Sequence, residues 1–312
     1  MKKILFFFKK KISNLIKFLK KIRACAFYRK DTPEDTKKFL KYSQLFFLNE
    51  TKIRKNFKTN EIDKELDNNG FVFKNLNDFD KIGSIKIFRE AYNNIKWDLN
   101  NAEFKKNYLN IKFLDFTPNL INFANSFVQL ATNYIGSLPI LNSAQFWFSP
   151  NQIEENIGSQ VMHLDPEDYR QLKIFIPIED ITLDKGPITF LNSNDSIIIY
   201  EDLIKKKKIV RRNSKITDET FLSYNLEPPI KGTINLNQFL ALDTCRCWHY
   251  GSRKSLFPRK LMFLHFTSAF GGKCPLLFRS PSKNFVQKKD RLIYGYKTKM
   301  INHYSKLEYI KI

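Results

Sequence analysis

Residues 239–265 read "FLALDTCRCWHYGSRKSLFPRKLMFLH". Two apolar strand-like runs, 239–244 and 259–268, enclose a polar turn that carries His249 and Gly251. Arg259 stands ten residues after His249, where the second run begins. An imidazole at one strand end and a guanidinium at the start of the next can meet at one end of a β-structure. The bland reading is a satisfied core histidine beside a structural arginine. What decides between them is another short stretch, "VMHLDPEDYR" at 161–170, where His163 precedes Asp165 by two residues. Taken alone, His-x-Asp is a common coincidence, but the chain holds only four histidines.

Strand signals continue outward from both stretches. "PILNSAQFWFS" (139–149), "QLKIFIPI" (171–178), "GPITFL" (186–191) and "GTINL" (232–236) are short apolar runs separated by turn residues. Many short strands of this kind predict a sandwich or closed barrel. Helical patterns come earlier. In "TPNLINFANSFVQLATNYIG" (117–136), Thr117 caps, Pro118 suits the first turn and Gly136 stops one helix. Its predicted buried stripe is Leu120, Phe123, Ala124, Phe127, Leu130, Ala131 and Tyr134. Gly70 suits the residue after a helix end, with a short strand following it. Helices first and then a jelly-roll-like run of strands is an α+β arrangement. A polar stretch, 192–231, interrupts the strands and is expected to be a loop insertion. It includes the lysine run 205–208 together with Arg211 and Arg212. A solvated loop is the bland reading of that run; over a barrel mouth it would favour an anionic substrate.

The net charge is +22, but it is not spread evenly. Residues 1–30 carry eleven Lys or Arg and no acid, 279–312 carry nine against two, and the long middle holds only +4. A nucleic-acid stripe along the whole chain fits this poorly. Phe8, Ile12, Leu15, Ile16, Leu19 and Ile22 recur at helical spacing among lysines, so 1–30 reads as a basic amphipathic helix. Such a helix can lie on an anionic membrane surface or pack on the domain. No stretch reaches the roughly 20 apolar residues of a membrane span. Cys25, Cys245, Cys247 and Cys274 match neither a zinc site nor a disulfide framework and are read as reduced thiols. A cytoplasmic protein, with peripheral contact at the inner membrane face through 1–30, is the expectation. The chain divides into that helix, a domain over 31–278 and a basic tail over 279–312.

Two imidazoles and one carboxylate suit Fe(II): they hold one triangular face of an octahedron and leave three positions open. His163 and Asp165 from one strand end, with His249 from a distant strand, supply that set. The open positions can take a 2-oxo acid in bidentate fashion, and O₂. The far carboxylate of 2-oxoglutarate then needs a fixed cation in a dry pocket, a role that suits Arg259, with Ser252 adding a hydroxyl.

At this point the sequence resembles the phytanoyl-CoA dioxygenase-like family of Fe(II)/2-oxoglutarate-dependent oxygenases. The resemblance lies in "HLD" (163–165), "KGPITFL" (185–191), "LDT" (242–244), "WHYGSR" (248–253), "PRKL" (258–261) and "NNGFVFKNL" (68–76), over roughly 60–270. It implies a double-stranded β-helix (jelly-roll, cupin-like) core over about 136–270 with N-terminal helices packed on it. It further implies His163, Asp165 and His249 as iron ligands and Arg259 as the partner of 2-oxoglutarate, with succinate and CO₂ as co-products. One departure is Leu191, Asn192, Ser193 and Asn194, where many relatives have a Pro-Gly-Ser-His turn. That turn is no metal ligand, so the departure bears on substrate preference.

Lys173 alternates with Leu172, Ile174 and Ile176 along its strand. Facing inward it would serve 2-oxoglutarate or the substrate; at an edge it would snorkel to water. Gln145, Trp147 and Gln160 are weaker pocket candidates. Arg246 and Arg253 flank His249 and read equally as substrate contacts or salt bridges. Asp168 is expected to support the turn after the ligands. His265, among apolar neighbours, reads as a core histidine, and His303 in the basic tail has no assigned role. The expected activity is hydroxylation of a small or carrier-linked substrate; desaturation and epimerisation share its first steps. The rival reading is a non-catalytic β-barrel that binds membranes or nucleic acid through its basic ends.

Overall fold

The computed structural model describes residues 63–97, 109–115, 117–135, 139–150, 158–168, 170–206, 215–253 and 255–267, with two short strands near the C-terminus. The 1–30 helix, Cys25, Tyr169, Arg211, Arg212, Cys274 and His303 lie outside the described residues.

Asp63 caps the first helix, α1 (Lys64–Asn69), by accepting from the Leu66 amide at 3.1 Å. Gly70 ends it at φ 77°, and a Cβ there would lie 2.6 Å from Cys247 Sγ, so the position needs both glycine's freedom and its smallness. Strand β1 (Phe71–Asn75) follows, then α2 (Ile85–Asn93) and β2 (Asn110–Leu114). The predicted 117–136 helix is in fact two, α3 (Pro118–Asn125) and α4 (Val128–Ile135). Thr117 caps α3 as expected. Between the two, the Ser126 and Phe127 amides reach back three residues instead of four, to Phe123 and Ala124. That tightened turn lets Phe127 enter the core fully, and all seven residues of the predicted stripe are buried.

The large sheet runs in the order β1, β9 (Gln238–Leu242), β5 (Leu172–Pro177), β11 (Arg259–Thr267), β3 (Ile140–Ser149), β2. All of these pairings are antiparallel. Two-residue strands β12 (Tyr294–Gly295) and β13 (Tyr309–Ile310) pair in parallel with β3 and β2. The small sheet runs β7 (Lys215–Ile216), β4 (Met162–His163), β10 (His249–Tyr250), β6 (Thr189–Phe190), β8 (Ile230–Lys231).

Strand alternation sorts the side chains into layers. On β5, Leu172, Ile174 and Ile176 join a core with Ala241, Met262, Leu264 and the helices α1 to α4. Phe175 of β5, Leu240 and Leu242 of β9, and Leu261 and Phe263 of β11 join Phe190 in a second cluster, which lies between the two sheets. Each fully buried Phe there contributes about 1.5–3 kcal/mol of apolar transfer.

The 192–231 stretch differs from the expected loop. Asn192 accepts from the Asp195 amide and caps α5 (Ser193–Lys205), and Thr217 caps α6 (Asp218–Leu222). Ser196, Ile199, Tyr200 and Leu203 are spaced for one helical face, and that face covers the back of the small sheet with Phe221 and Trp248. Residues 207–214 between these helices are outside the described set. The expected "GTINL" strand is reduced to one bridge, Ile234 with Ile181. Gly232 donates to the Ile188 carbonyl at 2.8 Å, and a Cβ there would lie 2.9 Å from that oxygen, so the close approach needs a residue without a side chain.

Candidate metal centre

The small sheet sets the two histidines side by side. His249 of β10 is in register with His163 of β4 on one side and with Phe190 of β6 on the other. Register partners share a face, and Phe190 looks into the space between the sheets, so both imidazoles do too. Asp165 lies just beyond β4, where its amide donates to the Thr244 carbonyl at 2.9 Å. That bond ties the loop after β4 to the loop after β9.

His163 Nδ1 lies 2.7 Å from the Val161 carbonyl, and His249 Nδ1 lies 3.0 Å from that of Cys247. A carbonyl only accepts, so each Nδ1 carries the proton and each Nε2 presents its lone pair. Those Nε2 atoms are 3.7 and 3.6 Å from the two oxygens of Asp165. One ligand atom from each of the three residues lies within 4.8 Å of the others. Burial, the neighbouring imidazole and the Lys173 ammonium push His249 down to about 3, despite Asp165. Burial lowers His163 as well. Burial also opposes the Asp165 charge, but the Lys173 ammonium overrides it and holds the carboxyl well below its usual range. Two neutral imidazoles beside an ionised carboxylate form a donor set ready for a divalent metal ion without prior loss of protons.

Lys173 faces inward. Its Nζ donates to Asp165 Oδ2, and it lies 5.5 Å from the centre of the Phe263 ring. Arg259 lines the same cavity and is 4% exposed. It donates to the Gly186 carbonyl and to Ser149 Oγ, both at 3.1 Å. Its Nε is buried without a partner, and no carboxylate of a described residue pairs with it. Burial alone pulls the guanidinium down to about 10. A buried cation in that state suits an anion that none of the described residues supplies. Ser252 lies beside it, with its hydroxyl 3.4 Å from Ser255 Oγ.

All six candidate residues (His163, Asp165, His249, Lys173, Ser252 and Arg259) therefore line one cavity of about 120 Å³, as do Trp147 and Gln160. Gln145 does not line it; its side chain accepts from the Trp147 indole. Arg253 pairs with Asp218 at 2.8 Å and stacks 3.6 Å over the Tyr250 ring. Arg246 donates to Tyr134 Oη and to the Asp67 carbonyl. Both arginines hold structure. His265 is a buried core histidine whose Nε2 faces Gln171 Oε1 at 2.7 Å. Asp168 is 2% exposed. Cys245 and Cys247 are buried free thiols. Ser149 and the Gly186 carbonyl, which hold the guanidinium, were missed from sequence. Ser149 carries a signal all the same, because it continues the inward alternation of Gln145 and Trp147.

No family model and no curated protein matches the chain. Solved structures do. The epimerase SnoN in complex with Fe3+, alpha ketoglutarate and nogalamycin RO is similar over 77% of this chain and 95% of its own, at 10% identity and TM-score 0.51. The likeness is one of fold. EctD from S. alaskensis with bound Fe covers 66% of this chain and 75% of its own, at 13% identity and TM-score 0.47. EvdO2 from Micromonospora carbonacea var. aurantiaca complexed with 2-oxoglutarate covers 68% and 92%, at 15% identity and TM-score 0.45. No helix among the described residues is long and apolar enough to cross a membrane.

Proposed function

We propose that the chain is a non-haem Fe(II)/2-oxoglutarate-dependent oxygenase on a double-stranded β-helix, akin to the phytanoyl-CoA dioxygenase-like branch. One observation carries the reading. Two Nε2 lone pairs and one carboxylate converge in a cavity that also holds a buried guanidinium with no carboxylate partner among the described residues. The first set suits a divalent transition metal with open positions, and the second suits the far carboxylate of a dianion.

In this reading His163, Asp165 and His249 hold iron. Arg259, with Ser149 and Ser252 beside it, receives the distal carboxylate of 2-oxoglutarate. Phe175, Ile188 and Trp147 line the cavity between these ends and keep it poor in water. Iron, 2-oxoglutarate and O₂ together supply oxidative decarboxylation coupled to C–H oxidation, with hydroxylation of a small or carrier-linked molecule as the proposed outcome. The SnoN likeness in fold is compatible with other outcomes of the same oxidation, and products from a substrate panel separate them.

Purified protein supplied with Fe(II), 2-oxoglutarate and O₂ is expected to release succinate slowly without substrate. His163→Ala and Asp165→Ala are expected to lose about 100-fold or more, since even the groups that support a metal ligand are worth roughly 10- to 100-fold. Wild-type protein that neither binds 2-oxoglutarate nor differs from these variants would sink the reading.

A further inference from the structure

Lys173 is a largely, not fully, buried lysine whose ammonium rests on a candidate metal ligand. Its side chain is 12% exposed, and Asp165, at 14%, is its ion-pair partner among the described residues. The ladder shows what this lysine does not do. Lys173 is in register with His265, whereas Arg259 is in register with Ser149. His265 and Arg259 are six residues apart on β11, roughly 20 Å of strand at 3.3–3.4 Å per residue. The two cations therefore enter the cavity from opposite ends. Lys173 sits at the metal end and cannot share the far carboxylate that Arg259 would receive.

The two oxygens of Asp165 are in different situations. Oδ2 accepts from Lys173. Oδ1 accepts no hydrogen bond from the described residues; it lies 3.7 Å from His163 Nε2, and Oδ2 lies 3.6 Å from His249 Nε2. A carboxylate with both oxygens free can chelate a metal ion through both. One oxygen held by an ammonium in a site this little exposed is not readily surrendered, because a largely buried lysine without its partner is costly.

Building on the oxygenase reading above, we propose that Lys173 is a positioning residue: by holding Asp165 Oδ2 it restricts the carboxylate to one metal donor and so keeps three coordination positions open. Those three positions are what a bidentate 2-oxo acid and O₂ together require. A second carboxylate oxygen on the metal would take one of them.

The test uses Mn(II) as a probe, because its water-proton relaxivity counts exchangeable waters on the bound ion. Wild-type protein with Mn(II) alone is expected to carry three such waters, falling to one when 2-oxoglutarate is added. Lys173→Met frees Oδ2, and its relaxivity is expected to drop by about a third as one of three positions closes. Its affinity for 2-oxoglutarate, measured by calorimetry on the Mn(II) form, should fall about tenfold or more, while Mn(II) itself binds at least as tightly as before. Lys173→Gln still donates a hydrogen bond to Oδ2 and should keep the wild-type water count. An unchanged water count in Lys173→Met overturns the proposal. So does a count of two in wild type, a measurement that stands even where Lys173→Met does not fold. Wild-type protein that binds no Mn(II) overturns the oxygenase reading itself; wild-type protein that binds Mn(II) with two waters overturns only the role of Lys173.

Discussion

Histidine ligates a metal as the neutral imidazole, and both candidate histidines are held neutral by burial. This couples the centre to the stability of the metal-free fold. His249 titrates at about 3 in the folded chain and near 6.5 when exposed. Between those values the unfolded chain binds a proton that the folded chain refuses. Stability therefore rises with pH across the window and is lost as pH falls from 6.5 towards 3. Burial shifts His163 in the same direction, so the two act together. The slope is up to about 1.4 kcal/mol per pH unit for each histidine. Thermal melts of the metal-free protein at pH 7.5, 6.5, 5.5 and 4.5 are expected to show a flat upper part and a steep fall below 6.5. A melting temperature that holds steady down to 4.5 would contradict burial of neutral imidazoles.

At the scale of elements, the turn before β6 carries the Arg259 end of the cavity. Gly186 has φ 61°, its carbonyl accepts from Arg259, and a Cβ on it would lie 2.1 Å from Ser252 Oγ. Gly186→Ala thus combines backbone strain with displacement of a cavity residue. A loss of roughly 1–3 kcal/mol in stability is expected. The KM for 2-oxoglutarate should rise more than kcat falls, because the guanidinium cradle moves and the metal ligands do not. Steady-state kinetics at saturating Fe(II) separates the two.

The same turn shows what sequence can and cannot give. Its Gly-Pro pair was legible as a turn, and His163, Asp165, His249 and Arg259 were legible through spacing and chemistry. The alternation of Lys173 with Leu172 and Ile174 limited that lysine to two faces, but its partner depends on contact between the two sheets. The Gly186 carbonyl as an acceptor was not legible, since backbone groups leave no residue-type signal. The break at Ser126–Phe127 was also hidden, because one apolar stripe runs unbroken through both helices. The 192–231 stretch reads as a loop because the lysine run 205–208 with Arg211 and Arg212 sits in its middle and interrupts any apolar period. Its helical face, Ser196, Ile199, Tyr200 and Leu203, mixes polar with apolar residues and gives a faint period.

At the scale of the whole molecule, the centre joins parts that the backbone holds together weakly. The strands of the small sheet are two residues long, and β4 and β10 meet at the single pair His163–His249. The large sheet contrasts with this: nine residues of β11 are in register with β3. Layers of this kind depend on packing from behind, which α5 and α6 supply, and on whatever bridges the strands in front. A metal ion held by His163, Asp165 and His249 would be such a bridge, from β4 through the loop after it to β10. Binding to the folded state alone stabilises it by about 2.7 kcal/mol at a hundred times Kd. For a domain of this size that corresponds to a rise of several degrees in Tm. Mn(II) is expected to raise Tm by this amount in wild type, and 2-oxoglutarate to add a further rise only when the metal is present, since in the proposed binding it would bridge the metal to Arg259 on the large sheet. Asp165→Ala should abolish both shifts. Arg259→Met should keep the metal shift and lose most of the second, because the metal end of the cavity is intact and the far anchor is gone. Differential scanning calorimetry of the three proteins, with each addition made separately, measures all of these shifts. Equal additive shifts by 2-oxoglutarate in wild type and Arg259→Met would show that the dianion does not span the two sheets.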